Sequence, residues 1–194
     1  MANIVLVYHS VTGTTRRLAE SIADGVARVE NARVQLVEIN PKDIIEGRYV
    51  NQSVLELVEK ADAVVFGSPT FMGCVSAQFK AFADASGEIW AHQGWANKLA
   101  GGFTIGSNFS GDQLNTIQYM QIFANQHGMI WTGLDLPGNC DAKGRNRLGA
   151  QSGLIAHSVD GVLHNVDLET AEYLGARIAT LAARFTDCES ASDV

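Results

Sequence analysis

The sequence predicts a doubly wound α/β domain in which helices cover both faces of a five-stranded parallel sheet. Two observations support this fold class. Short apolar, β-branched runs alternate with stretches of helical periodicity along the chain, which is the pattern of consecutive βα units. Three of the runs also end in loops rich in small and hydroxyl-bearing residues. Right-handed crossovers, together with the count of five strands, favour the strand order 2-1-3-4-5.

The individual elements follow one another in regular alternation. Residues 4–8 are a continuous apolar run, typical of a central strand buried on both faces. Leu18, Ile22 and Val26 then recur at helical spacing and form one apolar stripe. The other strands are predicted at 34–39, 63–66, 99–105 and from residue 129, and the other helices at about 55–61, 76–85, 112–126 and 168–185.

The chain is expected to form one domain over residues 1–188, because a single core can grow to roughly 200–250 residues before a chain divides. Residues 137–153, rich in Gly, Asn and charge, interrupt the region of the fifth strand. We interpret them as an inserted loop, for which a functional and an ornamental role both stay open. The Ser- and Asp-rich residues 189–194 are expected to form a disordered tail.

Composition excludes several classes of protein. The net charge of −7 argues against a nucleic-acid partner, which would require clustered Lys and Arg. Cys74, Cys140 and Cys188 are odd in number and lack metal-ligand spacing, so we expect no metal site and a reducing compartment. The apolar run near the amino terminus is too short for a signal or membrane helix. The expectation is therefore a cytoplasmic protein with no membrane partner.

The first loop (residues 10–15) follows a strand, opens a helix and predicts a phosphate site. A helix N-terminus carries unpaired N–H groups and a partial positive charge, so it can hold a phosphate without a lysine. The loop has neither the G-x-x-x-x-G-K-[ST] nor the G-x-G-x-x-G pattern. Ordinary helix capping is the alternative, but four hydroxyls around a glycine favour phosphate. The predicted contacts are Ser10, Val11, Thr12, Gly13, Thr14 and Thr15.

Two further loops should meet the first one, because ligands of doubly wound sheets bind beyond the carboxyl ends of the strands. The second loop (residues 67–74) is uncharged and can offer backbone groups to a ring edge and side chains to a ring face. A turn with a buried Phe is its alternative. The third loop (residues 106–112) is small and polar. Together they predict bound flavin mononucleotide (FMN), with contacts from Pro69, Thr70, Phe71, Met72, Gly73, Ser107, Asn108, Phe109, Ser110, Gly111 and Asp112.

Nearly the whole chain resembles the flavodoxin-like superfamily and, within it, the WrbA-type NAD(P)H:quinone oxidoreductases. The resemblance is strongest at Gly67-Ser68-Pro69-Thr70, Ser76-Ala77-Gln78-Phe79-Lys80, Glu88-Ile89-Trp90-Ala91 and His127-Gly128-Met129. It implies FMN held by the three loops, with NAD(P)H as electron donor and a quinone as acceptor. It also implies two catalytic residues, His127 at the ring edge and Trp90 lining the quinone pocket. A homo-oligomer, dimeric or tetrameric, is a further implication.

Departures from this family pattern leave the reaction open between three functions. Thr12 stands where the family has an aromatic residue, and Phe71 and Met72 stand where it has Arg before an aromatic one. The uncharged second loop favours two-electron NAD(P)H:quinone reduction. Thr12 and the inserted loop favour the alternative, a flavodoxin-type electron carrier that serves a redox protein, for example in oxidative-stress defence. An FMN-bound stress-response protein with little turnover is the third class.

Two of the implied site residues also have plain structural explanations. His127 directly precedes Gly128 at the end of a predicted helix, where a histidine can simply interact with the helix C-terminus. Trp90 can be a core or subunit-contact aromatic. Both explanations stay open at the level of sequence.

Overall fold

The structure, a computed structural model, describes the backbone of residues 1–192 and the side chains of residues 1–186. Strands and helices alternate along the chain much as the periodicity predicts. In order they are β1 (Ala2–Tyr8), α1 (Thr14–Ala27), β2 (Ala32–Glu38), β3 (Ile44–Ile45), β4 (Arg48–Tyr49), α2 (Gln52–Glu59), β5 (Ala63–Pro69), α3 (Ala77–Ala85), α4 (Gly87–Ala91), β6 (Leu99–Gly106), α5 (Gln113–Gln126), β7 (Ile130–Trp131), β8 (Leu154–Val159), β9 (Val162–Leu163) and α6 (Asn165–Ser192).

The main sheet is mostly parallel and runs in the order β2-β1-β5-β6-β8-β9, with β7 also paired to β6. This confirms the predicted α/β fold class and the order 2-1-3-4-5, with one difference in the fifth position. There β7 pairs with Leu99 and Ala100 at the start of β6, whereas β8 pairs with residues 103–106 at its end. The segment 132–153 connects these two halves and includes the expected inserted loop. An antiparallel strand, β9, extends the edge, and β3 and β4 form a separate hairpin.

Strand β1 is central because both of its faces are apolar. Ile4 and Leu6 belong to a core cluster shared with α1 and α6, while Val5 and Val7 belong to a second cluster with α2, α3 and α5. Alternate side chains of a strand point to opposite faces, so one continuous apolar run serves two helical layers. The carboxyl end of β1 is thereby held rigidly in the middle of the sheet edge, where the first loop begins.

Helices α1 and α6 cross with their backbones in contact. A Cβ atom built on Gly25 would lie 1.9 Å from the carbonyl oxygen of Glu172, and one on Gly175 would lie 1.9 Å from that of Ile22. Only glycine permits such an approach, because any Cβ atom would overlap the facing carbonyl. Since α1 starts at the first loop, this crossing also fixes the position of the loop.

Helix α6 begins earlier and ends later than the periodicity predicts. Asp167 in its first turn accepts two hydrogen bonds from Arg147, Nε–Oδ1 at 2.7 Å and Nη2–Oδ2 at 2.7 Å, which ties the inserted loop to the helix N-terminus. The helical backbone continues to Ser192. Of the tail expected at 189–194, the last two residues and all the side chains lie outside the described part of the chain. The side chain of Cys188 also lies outside it. Among residues 1–192, no helix is long and apolar enough to cross a membrane.

Candidate functional site

A cavity of about 600 Å³ lies at the carboxyl ends of β1, β5 and β6. This is the edge at which doubly wound sheets bind their ligands. The first, second and third loops all contribute to it, so the structure brings the predicted loops together. The cavity is lined by Val11, Thr12, Thr14, Thr15, Pro69, Thr70, Phe71, Ile105, Gly106, Ser107, Ser158, Asp160 and Gly161.

The first loop leaves the N-terminus of α1 open toward the cavity. Gly13 occupies the N-cap position with a φ of 88° and has no side chain that could cap the helix. The first-turn N–H groups of Thr14 and Thr15 therefore receive no capping hydrogen bond from it. The hydroxyls of Thr12 and Thr14 instead lie 3.1 Å from each other, and Ser10 Oγ accepts only a long 3.3 Å bond from the Arg16 N–H. Simple capping therefore does not account for the four hydroxyls.

The charges near this helix terminus also favour an anion. The first turn of α1 contains no acidic residue. Arg16 in this turn forms an ion pair with Glu38 at 2.6 Å, so the carboxylate at the end of β2 is neutralised. The helix dipole then acts on the cavity without a competing negative charge from the first turn of α1, and Asp160 is the one acidic residue among the described residues that line the cavity.

The second loop is anchored from behind by buried threonines. Thr70 Oγ1 lies 2.8 Å from Thr104 Oγ1 on β6 and 2.8 Å from Thr116 Oγ1 on α5. The Thr104 hydroxyl donates its hydrogen bond to the carbonyl of Ser68 at 2.7 Å. In the contact with Thr70 it is therefore the acceptor, and the Thr70 hydroxyl is the donor. Thr104 and Thr116 are fully buried and were not predicted, since a threonine inside a strand or helix carries no sequence signal of its own.

The tip of the second loop is a tight turn closed by backbone hydrogen bonds. Phe71 and Cys74 exchange two backbone hydrogen bonds of 2.9 and 3.1 Å, and Met72 and Gly73 turn the chain with φ values of 49° and 74°. Phe71 lines the cavity and is 47% exposed, so the alternative of a buried Phe is not observed. Met72 and Gly73 do not line the cavity, and their contact with a flavin stays a prediction.

The third loop contributes one predicted residue, Ser107, to the cavity wall. Phe109 is 68% exposed and stacks on the ring of His157, with 4.2 Å between ring centroids. His157 Nε2 also lies 3.2 Å from the carbonyl oxygen of Ser107, so β8 supports the loop from the side. The remaining predicted contacts, which do not line the cavity, are Asn108, Ser110, Gly111 and Asp112.

A fourth wall of the cavity was missed at the level of sequence. Ser158 lies near the end of β8, and Asp160 and Gly161 form the turn between β8 and β9. Asp160 and Gly161 both have positive φ, 55° and 80°. An Asp-Gly pair between short apolar runs is a hairpin signal and could have indicated this turn. Within the described side chains, no group of three or more His, Cys, Asp or Glu residues could hold a metal ion.

The structure does not bring His127 to the cavity of its own chain, and its expected contact with the ring edge stays a prediction. Helix α5 starts beside the third loop and its 14 residues carry the chain about 20 Å toward the opposite edge of the sheet. There His127 is 1% exposed, packed against Trp95 and Phe123, and burial lowers its pKa to about 4. Its Nε2–H donates to Ser86 Oγ at 2.8 Å, because the Ser86 hydroxyl itself donates to Ala83.

Trp90 is likewise distant from the cavity of its own chain. It lies on α4, and its carbonyl accepts a hydrogen bond from Gln93 Nε2, which also bonds to the carbonyl of Gln126 at the end of α5. Trp90 therefore lies at the same far edge as His127, with 48% of its surface exposed. The expectation that it lines a pocket over the flavin is not met within a single chain.

Comparison with known proteins places the chain in a family. Residues 2–134 match the family described as NADPH-dependent FMN reductase. The chain belongs to this family. Flavodoxin FldP of Pseudomonas aeruginosa is 36% identical to it, with 93% of this chain and 97% of the relative covered. An NAD(P)H dehydrogenase (quinone) of Archaeoglobus fulgidus is 35% identical, with 95% and 99% covered.

A similar protein of known structure has the same fold. A crystal structure described as a flavodoxin, WrbA-like protein from Agrobacterium tumefaciens is 36% identical and superimposes with a TM-score of 0.73 over 95% of this chain and 99% of that one. The predicted resemblance to WrbA-type proteins is thereby confirmed.

Proposed function

We propose that this protein is an FMN-dependent oxidoreductase that reduces quinones with electrons from NAD(P)H. The observation that carries the proposal is the cavity itself, which combines a helix N-terminus whose N-cap residue, Gly13, supplies no side-chain cap with a neutral loop fixed by buried threonines. The first feature suits a phosphate and the second suits an uncharged ring. The family match and the relatives named as quinone dehydrogenases support the same reading.

The residues around the cavity fit FMN. Thr12, Thr14, Thr15 and the first-turn N–H groups of α1 would hold the phosphate, since they combine hydroxyl donors with the positive end of a helix dipole. Pro69, Thr70 and Phe71 would lie along the ring. When bound, FMN supplies the capacity to accept electrons from a nicotinamide and to pass them to a quinone.

The contribution of the chain itself is binding and orientation. The Thr70 hydroxyl holds the second loop against β6 and α5, so the backbone groups of that loop are fixed before a ligand arrives. The second loop has no acidic residue, so it imposes no repulsion on negative charge that develops on a bound ring. Phe71 lines the cavity and would exclude water from one face.

We also propose that the protein acts as a homo-oligomer. Trp90 is half exposed and lies too far from the cavity of its own chain to line it. If it lines a quinone pocket as the family resemblance implies, a second copy must present it. Size determination with and without a Trp90→Ala replacement tests this arrangement. A native monomer with full quinone activity would contradict it.

The proposed activity is tested by steady-state oxidation of NADH and NADPH by the FMN-loaded protein. We expect oxidation that depends on an added quinone and that is abolished when FMN is removed. The control is free FMN at the same concentration, which measures the reaction without the protein. An FMN-loaded protein that oxidises neither nucleotide in the presence of quinone would contradict the proposal.

A flavodoxin-type electron carrier is the second candidate, and two observations favour it. One is the 36% identity to flavodoxin FldP over nearly the whole length of both chains. The other is a set of exposed apolar side chains on the loops that form the cavity, Val11, Phe71 and Phe109, which suit the docking of a redox protein. In the same assay a carrier would turn over only after a separate reductase is added.

We place this activity in the cytoplasm as part of the proposal. Cys74 and Cys140 are both free thiols, and Cys140 is exposed. Unpaired exposed cysteines are typical of a reducing compartment. Neither cysteine has a role in the proposed reaction.

A further inference from the structure

Three buried polar side chains connect the first loop to the second. His9 directly precedes the first loop, Ser68 lies at the start of the second, and Ser76 follows the second as the N-cap of α3. All three are at most 2% exposed. They therefore lie behind the cavity rather than in it, between the two loops that would hold opposite ends of FMN.

The hydrogen bonds among these residues are closely specified. His9 Nδ1 lies 2.9 Å from Ser76 Oγ, which also accepts the Phe79 N–H at 3.2 Å. Ser68 Oγ accepts the Ser76 N–H at 2.9 Å, and its hydroxyl faces two acceptors, the carbonyl of Pro69 at 2.9 Å and Ser76 Oγ at 3.3 Å. The His9 backbone N–H donates to the carbonyl of Gly67 at 3.0 Å. The start of the first loop is thus bonded to both ends of the second.

We propose that His9 is a positioning residue that sets the distance between the first and second loops, so that a ligand with both a phosphate and a ring engages them together. This inference rests on the proposed binding of FMN. His9 itself would touch no ligand, because His9 and its bonded partner Ser76 are both buried and neither lines the cavity. Because His9 holds both loops in place before the ligand arrives, less conformational entropy is lost when FMN binds.

The chemistry of the contact explains why a histidine suits this position. Burial lowers the pKa of His9, and the negative charge of Glu38 offsets this lowering only in part. The neutral form of the ring is therefore favoured. A neutral ring nitrogen can share one proton with a serine hydroxyl and leaves no net charge behind the loops. Asparagine carries an amide group at the position corresponding to Nδ1, whereas glutamine places it one bond further along the chain.

The distinguishing measurement compares three ligands on four proteins. The ligands are FMN, riboflavin and inorganic phosphate, of which riboflavin lacks the phosphate group. Binding of inorganic phosphate is measured by the thermal stabilisation that it gives to the protein. The proteins are native, His9→Phe, His9→Asn and the control Ser86→Ala. The control breaks the other buried histidine–serine hydrogen bond, which lies at the far edge of the sheet. It reports how much a general loss of stability affects binding.

For His9→Phe we expect FMN affinity to fall about tenfold, the upper range for one lost buried hydrogen bond, with riboflavin and phosphate within about twofold of native. His9→Asn should restore the ratio of FMN to riboflavin affinity, and Ser86→Ala should leave that ratio unchanged. If His9→Phe does not fold, His9→Gln is expected to show the same lowered ratio.

Two results would overturn the inference. Equal losses for FMN and riboflavin would show that His9 supports only the second loop or general stability. Unchanged FMN affinity in both His9→Phe and His9→Gln would show that the two loops are positioned without it. A native protein that binds no FMN would instead contradict the proposed function, so the two failures are distinguishable.

Discussion

Replacement of Gly175 by alanine is expected to lower the free energy of unfolding by about 3 kcal/mol, at the upper end of the range for overpacking. The added Cβ would lie 1.9 Å from the carbonyl oxygen of Ile22, which is backbone and cannot rotate away. Helices α1 and α6 must therefore separate. Alanine would contribute about 1 kcal/mol of better helix propensity in the opposite direction, which the clash outweighs.

Urea unfolding of the purified variant measures this loss. The matched control is Gly87→Ala in α4, where a Cβ atom has open space around it. This control should unfold at or slightly above the native midpoint. If Gly175→Ala is as stable as Gly87→Ala, the two helices do not cross as closely as described. Because α1 begins at the first loop, Gly175→Ala should also weaken any ligand bound there.

A second large effect is expected from the pH dependence of stability. Burial lowers the pKa of His127 from 6.5 to about 4, so the native state keeps this ring neutral over a range in which the unfolded chain protonates it. Between these two values the unfolded state binds more protons, and stability falls as the pH is lowered. The full loss below pH 4 amounts to about 3 kcal/mol, since one pKa unit corresponds to about 1.4 kcal/mol.

This prediction is tested by the difference in unfolding free energy between the native protein and His127→Gln. Glutamine does not titrate, whereas all other groups, including the buried His9, remain in both proteins and cancel in the difference. The advantage of the native protein over the variant should shrink by about 3 kcal/mol as the pH is lowered from about 6.5 to about 4. A constant difference across this range would show that His127 is not shielded from water.

The first loop could be predicted from sequence because its chemistry is local. A strand, four hydroxyls, a glycine and a helix follow one another within a few residues, and the cavity forms where that order requires. The turn at Asp160 and Gly161 could not be placed in the same way. It reaches the cavity only because β8 pairs with the far end of β6, and the interrupted fifth strand hides that register.

The roles expected of His127 and Trp90 stay predictions, because a single chain does not bring these residues to its own cavity. The expected roles came from a family resemblance, which identifies residue types but not the copy of the chain in which they act. The predicted order of elements already indicated the difficulty, since a residue at the end of a helix that starts beside the third loop must lie at the opposite edge of the sheet. The buried threonines Thr104 and Thr116 became visible only through tertiary contacts.

The central claim, that the first loop holds the phosphate of FMN, is tested most directly by the Thr12→Ala/Thr14→Ala double variant. Its affinities for FMN and for riboflavin are measured by titration, with Thr180→Ala on α6 as a control for loss of a hydroxyl elsewhere. The loss of two hydroxyl donors to a charged phosphate should weaken FMN roughly a hundredfold while riboflavin stays within about twofold. Equal losses for both flavins, or no loss for FMN, would contradict the account.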